Sequence, residues 1–427
     1  MQDFGISDLV KISGKDFEYT GIVMPVEDDS IIVLKLENGY NVGILKNKVS
    51  KHQLINRAKQ TAFNISKLKL KLNLPKITII STGGTITSRV DYKTGGVYSL
   101  SNPSELLVSI PEINKLANIK LVTPFNVMSE DMTFKEWQEL ASIVSRELKT
   151  AEGVIITHGT DTLHFTSAAL SFMLKDLSKP VAVVGGQRSS DRGSFDGAQN
   201  LICAVHYCLS NIAEVSIVMH GTESDSYCLA NRGTKVRKMH TSRRDAFRPI
   251  NELPLAKIWP DGKIEIINKH YKKRSKNVTN LDSKFDDKVA LLKVYPGASP
   301  DFIDYLIDKG YKGIILEATA FGHIPTQPQN KDGSWIPKIK RAIKNDVFVG
   351  ITSQCLYGST NSDVYSNLRI LKKAGAVYLK DMLPETAFVK LGWVLGHTKQ
   401  SVKIKEEMLK NYAREMNNRI EKKSFLY

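Results

Sequence analysis

Two β-branched runs constrain this chain more than anything else in it. One lies in ITIISTGGTI, residues 77–86, and the other in VIITHGTDT, residues 154–162. Each apolar run stops at a polar, glycine-bearing turn and then enters a new segment. Branching at Cβ favours extended backbone, and an α/β fold presents such turns at the C-terminal edge of its sheet. The first turn offers Thr82 and Thr85, the second Thr160 beside Asp161. Hydroxyls at two adjacent strand ends flank one small electrophile, which points to an enzyme.

From Pro75 onward strands alternate with helices. The expected strands are Ile77–Ser81, Ile119–Thr123, Val154–Thr157, Val181–Val184 and Val215–Met219, with helices over Thr133–Lys149 and Leu163–Lys175. The alternation predicts a mostly parallel, wound sheet. The stretch Trp259–Asp287 breaks the composition and reads as a hairpin or connector. A second α/β unit follows, with strands at Val289–Val294, Gly313–Leu316, Val347–Ile351 and Ala376–Tyr378. Residues 401–424 read as a charged terminal helix whose Met408, Leu409, Tyr412 and Met416 form a packed face.

The first 60 residues differ. Short apolar stretches separated by Pro25, Glu27-Asp28-Asp29 and Asn38-Gly39 predict a small β-barrel, because Asn-Gly is a strong hairpin signal. KLKLKLNL, residues 67–74, reads as an extended connector. The expected units are thus residues 1–74, a small β domain and linker; 75–287, one α/β domain; and 288–427, a second.

Lys and Arg number 60 against 44 Asp and Glu, a formal charge of +16 spread along the chain. The excess favours a polyanionic partner such as nucleic acid. Cys203, Cys208, Cys228 and Cys355 form no C-x-x-C pair and no Cys/His cluster, so no metal site is expected and a reduced, cytoplasmic setting fits. MQDFGISD lacks an apolar signal core, and no apolar run reaches the roughly 18 residues of a membrane span. Neither a G-x-x-x-x-G-K-[ST] phosphate loop nor a G-x-G-x-x-G turn occurs, which argues against nucleotide binding by this chain.

Gly83 and Gly84 allow a tight turn, and amide donors there can stabilise an oxyanion beside Thr85. Asp161 can bind an ammonium group, hold a lysine or cap the next helix. A neutral threonine needs a base. His158 is the local candidate, unless it packs behind the turn, and a desolvated lysine is the other. In GGQRSSDRGSFDGAQN, residues 185–200, Arg188 and Arg192 can meet an anion.

STGGTI at 81–86, THGTDT at 157–162, MSEDM at 128–132 and GTKVRK at 233–238 resemble motifs of the L-asparaginase/glutaminase family. The resemblance covers residues 75–427 and implies amide hydrolysis by a two-threonine mechanism. It implies Thr85 as nucleophile and Tyr98 as its assistant. It further implies a triad of Thr160, Asp161 and Lys235, and Ser129 as receiver of the substrate's α-carboxylate, with Asp161 taking the α-ammonium. Glu130 stands where bacterial asparaginases usually carry glutamine. An acid beside an incoming carboxylate argues against tuning to free asparagine and for donor binding in an assembled complex.

The N-terminal β module with ENGYNVGI, together with YPGAS (295–299), EATAFGHIP (317–325) and TSQCLYGSTN (352–361), makes the chain similar to the archaeal tRNA-dependent amidotransferase branch of that family. That similarity implies a glutaminase that releases ammonia for converting Glu-tRNA(Gln) to Gln-tRNA(Gln). It implies a homodimer core within a heterotetramer. The other component is an E-type amidotransferase partner, which uses ATP and Mg²⁺, with no cofactor on this chain. The alternative is a free L-asparaginase with an appended β domain.

Overall fold

The computed structural model describes residues 4–6, 8–24, 26, 28–37, 40–57, 73–84, 110, 112–189 and 194–427, and the backbone alone of 88–90 and 97–99. The Asn38-Gly39 turn, most of KLKLKLNL, Thr85 and Arg192 lie outside these residues. Strands β1 (Leu9–Ser13), β2 (Glu18–Met24), β3 (Ile31–Leu36), β4 (Asn41–Leu45) and β5 (Lys51–Asn56) form an antiparallel sheet in the order β4-β3-β2-β1-β5. Val10, Ile12, Val23, Ile32, Leu34 and Ile44 close its own small core.

The second unit is an eight-stranded sheet. β6 (Lys76–Ser81), β9 (Asn118–Val122), β10 (Gly153–Thr157), β12 (Val181–Val184) and β13 (Val215–His220) run parallel, with the short hairpin β7 (Ser88–Val90) and β8 (Val97–Ser99) between β6 and β9 in the chain. Their positions match the expected strands to within a residue or so. β14 (Cys228–Arg232), β17 (Ala256–Ile258) and β18 (Ile264–Ile266) extend the sheet antiparallel, giving the order β18-β17-β14-β13-β12-β10-β6-β9. The hairpin expected after Trp259 is thus centred slightly earlier.

Two short pairs lie outside this sheet. β11 (Leu174–Lys175) pairs with β19 (Asn280–Leu281), and β15 (Val236–Lys238) with β16 (Phe247–Pro249). Helix Phe134–Glu147 starts on a capping box, in which Thr133 and Glu136 satisfy each other's end of the first turn.

The third unit is a parallel sheet of β20 (Val289–Lys293), β21 (Gly313–Ala318), β22 (Phe348–Ser353) and β23 (Val377–Tyr378). Helices Leu163–Met173 and Pro384–Leu395 pack together, and one apolar core runs from Ile156, Leu170 and Met173 to Ile315, Leu391 and Trp393. The two α/β units therefore share a core.

The terminal helix is shorter than expected, spanning Ser401–Leu409. The buried Lys390 ammonium takes the carbonyls of Met408 and Lys410 at 2.9 and 2.5 Å and the Glu415 carboxylate at 2.5 Å. Those carbonyls are thereby turned away from a continuing helix, and Arg414 adopts a left-handed φ of 58°. The apolar face survives, since Met408 and Met416 are buried without a helix between them. Among the described residues no helix is long and apolar enough to cross a membrane.

Candidate active site

Parallel pairing sets Ser81 opposite Thr157, so the two threonine turns leave the sheet side by side. Gly83 and Gly84 hold φ of 107° and 83°. A Cβ on Gly84 would lie 2.4 Å from the amide nitrogen of Gly159. One glycine turn therefore rests directly on the other. Thr82 is buried rather than presented. Its hydroxyl donates to the Thr157 carbonyl at 2.9 Å and closes the first turn onto the second strand.

Thr160 is almost buried, with Asp161 beside it at the surface. The Lys238 ammonium bridges them, donating to Thr160 Oγ1 at 2.8 Å and to Asp161 Oδ1 at 2.6 Å. A threonine, a lysine and an aspartate thus converge beyond the C-terminal ends of β6 and β10. Lys235 does not join them. Its Nζ is buried and pairs with Asp381 Oδ2 at 2.6 Å and the Asp381 carbonyl at 3.2 Å. The lysine of GTKVRK that meets Thr160 and Asp161 is the second one, three residues on, because the intervening strand turns Lys235 the other way.

The family model for the asparaginase N-terminal domain matches residues 76–272, and that for the glutaminase/asparaginase C-terminal domain matches residues 288–408. The GatD N-terminal domain model matches residues 4–55. The chain is 52% identical to the GatD-type subunit of glutamyl-tRNA(Gln) amidotransferase from Pyrococcus furiosus, covering 99% of this chain and 97% of that one. It belongs to the GatD family. The same subunit of Methanothermobacter thermautotrophicus is 44% identical over 97% of this chain and 94% of its own. Among solved structures, the thermostable L-asparaginase from Thermococcus kodakarensis superposes with a TM-score of 0.71 at 26% identity, covering 81% of this chain and all of that one. L-asparaginase I from Vibrio cholerae gives 0.70 at 28% identity, covering 81% and 99%.

Membership of the GatD family gives the remaining residues their frame. Ser129 is buried, and its hydroxyl lies 3.5 Å from the Glu130 carboxylate, which faces solvent. Thr162 donates to the Ser129 carbonyl at 2.6 Å, fastening this segment to the second turn. Tyr98 lies in β8 opposite Arg89. Asp161 does not cap the following helix; its carboxylate is held by Lys238.

His158 is behind the turn. Its Nδ1 lies 2.7 Å from the Gly159 carbonyl and its Nε2 2.8 Å from Thr166 Oγ1. Burial drives its pKa down to about 4. It is a neutral, hydrogen-bonded core histidine at neutral pH, with no nitrogen left for a substrate. His164 is lower still, at about 3, through burial first and then the nearby Arg237 and Lys238 cations.

Arg188 Nη1 donates to the Ser242 carbonyl at 2.7 Å, and the Asp196 carboxylate accepts the amides of Gln187 and Arg188 at 3.0 Å. The described residues of that loop are thus fastened to one another and to Ser242. Two cavities of about 420 and 550 Å³ meet at Arg232 and Arg414 and contain none of the converging residues. Among the described residues no cluster of His, Cys, Asp and Glu is able to hold a metal.

Proposed function

We propose that this chain is the glutaminase component of a tRNA-dependent amidotransferase, with Thr160, Asp161 and Lys238 as its fixed catalytic group. The observation that carries this is the Lys238 ammonium bridging Thr160 Oγ1 and Asp161 Oδ1. Thr85, the next residue after the Gly83-Gly84 turn, is our nucleophile, and Tyr98 its assistant. The Thr85 oxygen attacks the side-chain amide carbon of glutamine, the C–N bond breaks, and the threonine proton leaves on the ammonia. Water then cleaves the ester and returns the hydroxyl. A cation fixed beside Thr160 stabilises negative charge on its oxygen while protons move, which is preorganised electrostatics. Asp161 holds Lys238 and receives the donor's α-ammonium, and Ser129 takes its α-carboxylate, next to Glu130.

This reading places ATP and Mg²⁺ on the E-type partner, in a D2E2 assembly around a homodimer of this chain, with Glu-tRNA(Gln) as acceptor. It takes the unit limits near residues 75 and 288, and it gives residues 1–74 a docking or gating role. The free-asparaginase alternative leaves the N-terminal sheet unexplained. The test mixes the chain with its E-type partner, Glu-tRNA(Gln), ATP, Mg²⁺ and glutamine and measures Gln-tRNA. Formation of Gln-tRNA that needs both proteins is the expected result. Full glutaminase turnover by the chain alone, with no response to that partner or to tRNA, would sink the proposal.

A further inference from the structure

We infer that the C-terminal domain sets the position of Lys238 through the buried ion pair between Lys235 and Asp381. The inference rests on the assignment of Lys238 to the amidase site. β15 belongs to neither large sheet; among the described strands its only ladder partner is β16. A two-stranded ribbon gains little from its own ladder, since an isolated pair is marginal in water, so its neighbours have to hold it. Yet it must deliver the Lys238 ammonium to within 2.8 Å of Thr160 Oγ1.

The alternation of a strand divides β15 and its entry into two faces. Val236 and Lys238 lie on one, Val236 in the shared core and Lys238 at the site. Lys235 and Arg237 lie on the other, and both are held by carboxylates of the C-terminal domain. Lys235 takes Asp381, and Arg237 Nη1 pairs with Glu385 Oε1 at 2.7 Å. The residue before them is held as well. Thr234 Oγ1 donates to the Ala413 carbonyl at 2.9 Å, and Thr386 Oγ1 donates to the Thr234 carbonyl at 3.1 Å.

Asp381 is itself fixed. Asn417 donates its amide to Oδ1 at 2.9 Å and its side-chain nitrogen to Oδ2 at 3.0 Å, and that same nitrogen reaches the Asn251 carbonyl at 2.9 Å. Asn251 follows Ile250, whose amide donates to the Lys235 carbonyl at 2.8 Å. The closed ring of bonds thus runs from Lys235 through Asp381 and Asn417 and back to the ribbon. Lys235 and Asp381 touch no reacting atom; they are positioning residues that act through Lys238.

Two variants of the full chain test this. The double variant Lys235→Met/Asp381→Leu removes both charges, so no buried ion is left unpaired. Asp381→Glu keeps the charge but lengthens the arm by one methylene. Readouts are kcat and KM for ammonia release, thermal midpoint, and the rate at which acetic anhydride labels Lys238, followed by mass spectrometry. The double variant is expected to lose about tenfold to 100-fold in kcat, the scale of a misplacement near 1 Å, with KM within about twofold. Lys238 should label several-fold faster. Asp381→Glu should show the same split at roughly threefold to tenfold.

Wild-type kcat and wild-type labelling in folded variants would overturn the inference. If the double variant fails to fold, unchanged labelling in Asp381→Glu overturns it alone. Failure of the amidase reading shows separately. Lys238→Met would then retain ammonia release, while labelling would still report where the lysine sits.

Discussion

Lys235 and Lys238 stand three residues apart on one ribbon, and both pair with an aspartate at 2.6 Å. Their surroundings are opposite. Lys235 and Asp381 are 0% and 1% exposed, whereas Lys238 and Asp161 are 10% and 67% exposed. The first pair is sealed, with its carboxylate already engaged by Asn417. The second keeps one partner in water and one threonine hydroxyl within reach. The difference teaches that an ion pair's distance says nothing about its work. A sealed pair resists losing either member, while a half-open pair can exchange a partner for a substrate.

The comparison can be broken most directly at the open pair. Lys238→Met keeps the stem and deletes the ammonium, and glutaminase activity should fall by about 1,000-fold, within the range for removing a proton-handling group. Its thermal midpoint should move by only a few degrees, because the partner it abandons stays in water. Near-normal ammonia release from the folded variant would return Lys238 to a surface role. Lys235→Met should strike stability hardest, beside the tenfold to 100-fold loss of kcat expected of a positioning residue. It strands the Asp381 carboxylate and should cost about 3–5 kcal/mol of stability, read by urea unfolding. A loss below about 1 kcal/mol would mean that Asn417 alone satisfies Asp381.

Burial keeps two histidines behind the site neutral, and for one of them, His164, the Arg237 and Lys238 cations add to it. His158 and His164 are neutral in the fold at about pKa 4 and 3, against an ordinary 6.5. Above pH 7 neither state takes up the proton, so they contribute no pH dependence there. As pH falls below about 6.5 the unfolded chain binds protons first, and stability drops progressively towards pH 3. At about 1.4 kcal/mol per pKa unit, His158 accounts for about 3 kcal/mol of that loss and His164 for about 5. In Lys238→Met one repelling cation near His164 is gone, so the thermal midpoint should fall less steeply between pH 6 and 4. Superimposable curves for the two proteins would show that Lys238 does not reach that ring.

The smallest effect is expected farthest from both pairs. Deleting residues 1–74, so that β6 survives, should leave basal hydrolysis within about twofold, because the five-stranded sheet has its own core. Assembly with the E-type partner, or stimulation by tRNA, should weaken. Unchanged assembly and stimulation would make that sheet a passive appendage.

Much of this was legible in the residues. The β-branched runs located the parallel strands because such runs, buried on both faces, leave little room for register error. The two threonine turns fell side by side for the same reason. What pattern could not resolve was which lysine of GTKVRK reaches the site. Both carry the same charge, and only the parity of a three-residue strand separates them. The signal was Val236, an apolar residue whose inward face is shared by Lys238 and not by Lys235. Thr82 reads as a site hydroxyl for want of knowing that the Thr157 carbonyl would claim it. The end of the last helix at Leu409 depends on Lys390, a cation from another helix, and no local propensity encodes that.

The contact between Gly84 and Gly159 carries a consequence for anyone who would re-engineer this site. Each turn is the mould in which the other is cast. A single methyl on Gly84 would have to push aside the backbone of the second turn, 2.4 Å away, and with it Thr160. Variation aimed at a new amide donor therefore has to enter from the rim, at the exposed Glu130. The floor admits no gradual change, since its first step is already a collision of main chains.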